Sequence, residues 1–167
     1  MAATEIAIPI EHPELASVSA AALEPDPAVR ARASAVLLAH GAGAPPSSPF
    51  MAAMARGLAA RGFPVLTFHY PYMEQNVRDG RRRGPDRAPL LEATHRSALA
   101  ALEERFGRGH RCLLAGKSLG GRIGTHLAAK GADCAGLVLF GYPLHPPGRP
   151  ERVRSEHFPA IAQPALF

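Results

Sequence analysis

The chain has 167 residues, of which 47% are hydrophobic and 20% charged, and its formal net charge is +5. That length supplies one sizeable core and not two, and that composition excludes a disordered chain. No stretch approaches the ~20 apolar residues of a membrane span, and Met1-Ala2-Ala3-Thr4-Glu5 has neither the basic nor the apolar part of a signal peptide.

Strands and helices alternate along the chain, which predicts a mostly parallel sheet covered on both faces, an α/β fold in a single domain. Residues 4–10 and 17–23 read as short strands of an N-terminal portion, 1–33, and Pro25-Asp26-Pro27 breaks the chain behind them. The remainder, 34–167, forms the main core. Residues 33–39 are an apolar strand ending in His40-Gly41-Ala42-Gly43. Residues 49–61 read as a helix with Phe50, Met54 and Leu58 on its apolar face and Gly62 as its stop. A strand follows at 65–69, then an irregular segment at 71–89 rich in Gly, Pro and Arg. Residues 90–106 are the next helix, closed by residues 107–109. Residues 112–115 are a strand, 119–130 a helix and 135–140 a fully apolar strand.

The positive charge is almost all arginine; Lys117 and Lys130 are the only lysines. One cluster stands out, namely Arg78, Arg81, Arg82, Arg83 and Arg87, opposed by Asp79 and Asp86. It has no interleaved aromatics and no reading module, which argues against nucleic acid as a partner. A solvated loop is the plain reading, and a rim that attracts anionic substrates is the sharper one. Cys112 and Cys134 both border apolar strands, as expected of buried thiols in a reducing, cytoplasmic setting.

Gly116-Lys117-Ser118-Leu119-Gly120 places a serine in a G-x-S-x-G pentapeptide between a strand and a helix. Strand, sharp turn and helix are what a nucleophile elbow requires. The flanking glycines fit a backbone that bends too hard to accept a Cβ. Ser118 is therefore the expected nucleophile. A phosphate-binding loop ending in Gly116-Lys117-Ser118 is excluded, because it needs glycine at the position of Arg111.

These two turns, with Ser48-Pro49-Phe50-Met51, Phe68-His69-Tyr70-Pro71-Tyr72, residues 83–89, Gly121-Arg122 and Phe140-Gly141-Tyr142-Pro143-Leu144-His145-Pro146-Pro147-Gly148, resemble the α/β-hydrolases. Within that fold the chain is similar to small dienelactone-hydrolase-like hydrolases, a group that includes a testis-expressed hydrolase-like protein and a chromatin-complex subunit of animals. The resemblance runs from about Ser34 to the last residue. It implies a three-layer sandwich in which the Ala42 and Leu119 N–H groups form an oxyanion hole, with His40, Gly41, Gly116 and Gly120 supporting the turns. It implies hydrolysis of a small carboxylic ester, thioester or lactone through an acyl-enzyme on Ser118, with no metal or organic cofactor and no membrane partner. The alternative is a non-catalytic scaffold of the same fold.

Other polar residues fit less readily. His40 is expected to orient the oxyanion turn, because the catalytic histidine of this fold comes last in the chain. Lys117 is expected to point to a neighbouring loop and His126 away from the site. His145 and His157 follow the strand at 135–140 on the same rim as Ser118, so either is a candidate to approach it. The triad order is Ser, then Asp or Glu, then His. Asp133 falls at the wrong end of the sheet, whereas Glu151 with His157 has the right order. Residues 163–167 read as the opening of a further strand, so the acid and base are expected beyond Phe167, with the last strands and helix absent.

Overall fold

The computed structural model describes residues 3–107 and 111–167; the turn expected to end at Gly109 lies partly outside them. Among the described residues one sheet contains seven strands: β1 (Ala3–Pro9), β2 (Ser17–Leu23), β3 (Ser34–Ala39), β4 (Val65–Phe68), β5 (Arg111–Lys117), β6 (Gly136–Phe140) and β7 (Ala165–Leu166). Their spatial order is β1-β2-β4-β3-β5-β6-β7. β1 and β2 form an antiparallel hairpin, β2 joins β4 antiparallel, and every pairing from β4 to β7 is parallel. Four α-helices accompany it: α1 (Pro49–Ala59), α2 (Pro71–Asp79), α3 (Ala88–Phe106) and α4 (Leu119–Ala129).

The three layers follow from the period of a strand, whose successive side chains point to opposite faces. In β3, Leu37 joins one apolar cluster with Leu91 and Leu102 of α3 and with Ile123 and Leu127 of α4. Its neighbours Val36 and Leu38 join a second cluster with Met51, Ala55 and Ala59 of α1. Both faces of β3 and β4 are buried, which is why β3 reads as a near-continuous apolar run and β4 carries only Thr67 as a polar residue. Each fully buried leucine or phenylalanine among them stabilises the fold by about 2 kcal/mol.

The structure corrects three sequence expectations. The segment at 71–89 is not irregular throughout: α2 occupies Pro71–Asp79, opened by Pro71 in its first turn and closed by Gly80 at φ 71°. α3 begins at Ala88, two residues earlier than read, again with a proline in its first turn. The buried face of α1 is Met51, Ala55 and Ala59, one residue round from the expected Phe50, Met54 and Leu58. Met54 and Leu58 pack at the edge of that cluster, while Phe50 is 40% exposed.

The strand expected to open at residues 163–167 does so: β7 pairs in parallel with β6, Leu137 opposite Ala165 and Val138 opposite Leu166. Both cysteines are buried free thiols, as expected. No helix among the described residues is long and apolar enough to cross a membrane.

Candidate active site

β5 runs two residues further than its apolar core suggests, so the pentapeptide begins while the chain is still in the sheet. Ser118 then adopts φ 49° and ψ −107°, the only positive φ of a non-glycine residue among those described. Such a conformation is strained for a side chain with a Cβ and persists only where the surroundings over-determine it. Close packing of backbone against backbone supplies that constraint. A Cβ on Gly116 would stand 2.3 Å from the Gly121 nitrogen, and one on Gly120 would stand 2.5 Å from the Ala39 carbonyl oxygen. The two glycines are therefore obligatory. Ser118 is half-buried, and its side chain makes no capping bond to α4.

The turn after β3 abuts this elbow, because β3 and β5 are parallel neighbours and end together. A Cβ on Gly41 would lie 3.4 Å from the Lys117 carbonyl oxygen and 3.8 Å from the Ser118 Cβ. Among the described residues neither the Ala42 N–H nor the Leu119 N–H is taken by a turn or capping hydrogen bond. The Leu119 N–H is free because it belongs to the first turn of a helix, whose donors have no partner within it.

The turn is held from beneath by a ring of aromatic residues. His40 is fully buried; its Nδ1 lies 2.7 Å from the Gly41 carbonyl oxygen, and its Nε2 accepts the Tyr70 N–H at 3.1 Å. Those two partners require the proton on Nδ1. Burial pushes the His40 pKa down to about 4, against a smaller opposite effect of the Gly41 bond. His40 is thus a neutral strut between the Gly41 carbonyl and the Tyr70 N–H. The Tyr72 hydroxyl donates to the Gly41 and Ala42 carbonyl oxygens at 3.3 and 3.2 Å. Sequence reasoning names Tyr72 only within the Phe68–Tyr72 motif and gives it no role, because its bond spans thirty residues. Pro71 at the start and Gly80 at the end of α2 are the signals that announce the helix carrying it.

The arginine cluster meets the same turn. A cleft of about 270 Å³ is lined by Ala42, Gly43, Asn76, Arg81, Arg82 and Arg83. Asn76 fixes that loop, accepting the Arg83 N–H at 2.8 Å and donating to the Arg83 carbonyl oxygen at 3.2 Å. Arg83 pairs with Asp79 and holds that carboxyl well below the usual carboxylate range. Asp86 is used otherwise, accepting the Tyr72 N–H at 2.9 Å. Among the described residues Arg81 and Arg82 have no ion-pair partner.

The remaining candidates go elsewhere. Lys117 Nζ sits 4.6 Å from the centre of the Phe50 ring, so it points to the start of α1. His126 Nδ1 is 3.0 Å from Glu92 of α3. The expectation that His145 or His157 approaches Ser118 is not met. His157 Nε2 lies 2.8 Å from the Thr125 hydroxyl and its ring stacks edge-on against His126, two helical turns along α4 from the elbow. His145 is exposed and its Nδ1 lies 3.0 Å from the Pro146 carbonyl oxygen. Glu151 and Asp133 are exposed, and Asp133 lies in the connection leading into β6, at the far end of the sheet from Ser118.

A mostly parallel sheet of this order, with a strained serine at the tip of its inner strand β5, defines an α/β-hydrolase fold. A family model described as an alpha/beta hydrolase domain matches residues 32–167, and the chain belongs to that family. Solved structures agree on the fold. An alpha-beta serine hydrolase homologue from Coxiella burnetii is 17% identical with a TM-score of 0.72, over 98% of this chain and 71% of that one. A dienelactone hydrolase from Anabaena variabilis is 21% identical with a TM-score of 0.71, over 98% of this chain and 72% of that one. An esterase from Pyrococcus furiosus is 12% identical with a TM-score of 0.72, over 98% of this chain and 67% of that one.

Proposed function

We propose that the protein is a serine hydrolase of small acyl compounds, a carboxylic ester, thioester or lactone, working through an acyl-enzyme on Ser118. The observation that carries this reading is the strained Ser118, φ 49°, wedged against the Gly41-Ala42 turn. In that mechanism the Ser118 Oγ attacks the acyl carbonyl as a histidine base takes its proton and then passes it to the leaving oxygen or sulfur. The oxyanion that forms is held by the Ala42 and Leu119 N–H groups. Collapse expels the alcohol or thiol, and water then releases the acid. Preformed donors of this kind contribute roughly 3 kcal/mol each to the transition state. His40 and Tyr72 keep one of them in place. No metal or organic cofactor enters these steps.

A second reading, a non-catalytic scaffold, is favoured by one observation: His157 is engaged with Thr125 instead of Ser118. A serine without a base keeps only the residual contribution of its oxyanion hole and of binding. The two readings separate in a single assay. Hydrolysis of a short aryl ester that disappears in Ser118→Ala supports the enzyme. A rate equal in both proteins rejects it.

A further inference from the structure

A second cleft, of about 1030 Å³, lies between α4 and the segment that follows β6, and Ser118 does not line it. Its walls bring Arg122 of α4 towards Arg152 and Arg154 of that segment. Among the described residues none of these three arginines forms an ion pair. The two carboxylates in the cleft, Glu151 and Glu156, are exposed and pair with none of them. Lys130 and His126 are already committed to Glu92. The Arg122 Nε is buried and finds no hydrogen-bond partner among the described residues. A buried donor left unpaired is uncommon in folded proteins and points to a missing acceptor. Burial, followed by the like charge of Arg154, lowers the Arg122 pKa against smaller opposite effects of Tyr142, Tyr70 and Glu92, the last already paired with Lys130 and His126.

We propose that this cleft binds a phosphate group, as inorganic phosphate or as the monoester of a small molecule, between the guanidinium groups of Arg122 and Arg154, with Arg152 beside them. A tetrahedral dianion accepts hydrogen bonds on several oxygens at once. It therefore suits donors that converge from a helix and from a facing loop better than a planar carboxylate does. The inference is independent of the hydrolytic reading, because its readout is binding.

The test is the shift in Tm with inorganic phosphate, phenyl phosphate and succinate, each against chloride of equal ionic strength. A ligand confined to the folded state raises Tm saturably. Inorganic phosphate or phenyl phosphate should do so, and whichever acts more strongly assigns the free ion or the ester. Arg154→Gln should weaken the apparent Kd at least about tenfold, the effect of losing a charge-assisted bond. Its fold is protected because the Arg154 contacts with Tyr142 and Leu144 are made by its backbone. Arg122→Gln should act alike, and Arg30→Gln, exposed on the connection before β3 and outside both clefts, should change nothing. A Tm that follows ionic strength alone, equal binding of succinate, or an unchanged Kd in Arg154→Gln would overturn the proposal.

Discussion

Gly120 and Ala39 are in backbone contact: a Cβ on Gly120 would stand 2.5 Å from the Ala39 carbonyl oxygen. The turn after β3 and the elbow after β5 are thereby locked together, and the strain at Ser118 has somewhere to be held. Gly120→Ala should destabilise the protein by about 3 kcal/mol, the upper range for overpacking a rigid site. Gly43→Ala is the internal control, since a Cβ there meets nothing within 4 Å. Urea unfolding of both variants checks the difference; equal midpoints would mean that the two turns are not in fixed contact.

His40 and His95 make stability depend on pH. Burial holds their pKa values at about 4 and about 3, against 6.5 in an unfolded chain. Both are depressed, so the unfolded state binds more protons below pH 6.5. The stability they contribute is fully present above pH 6.5 and is lost as pH falls from 6.5 to about 4 for His40 and to about 3 for His95. Each should remove about 1.4 kcal/mol per pH unit in that window. Urea midpoints measured from pH 7.5 to 4 should fall steadily below 6.5. A flat profile would show that the unfolded and folded histidines titrate alike.

Tyr72→Phe tests the support of the Gly41-Ala42 turn. The loss of one hydroxyl that donates to two carbonyl oxygens should leave the fold intact, at a cost of about 1 kcal/mol. In an active hydrolase kcat should fall about fivefold with KM little changed, because the oxyanion donor is loosened mainly where charge develops. An unaltered kcat would remove Tyr72 from any role at the site.

Arg81 and Arg82 line a cleft with Ala42, so a negatively charged acyl substrate should meet them early. For such a substrate kcat/KM should drop with added salt more than for a neutral one. Arg81→Gln with Arg82→Gln should abolish that difference. Equal salt responses in the unaltered protein would leave the segment as solvated loop.

Much of the fold was legible in the sequence because buried parallel strands and glycine-flanked turns leave local marks. Apolar runs announced β3, β5 and β6, and Gly116 and Gly120 announced the elbow. What escaped is long-range. The Tyr72 hydroxyl reaches Gly41 across the sheet edge, and the composition of 71–89 hid α2 behind its glycines and arginines. His157 was misplaced for a similar reason. Its position after β6 is a matter of sequence, but the Thr125 and His126 contacts that draw it along α4 are tertiary.

The central claim is that Ser118 is the acyl-accepting residue. The measurement that tests it most directly is the site of phosphonylation by a fluorophosphonate probe, mapped by peptide mass spectrometry. Labelling should be slow, since among the described residues no histidine hydrogen-bonds Ser118. It should nonetheless fall on Ser118 and vanish in Ser118→Ala, while Ser48→Ala labels as the unaltered protein does. Label that persists in Ser118→Ala, or that maps to another serine, would contradict the assignment.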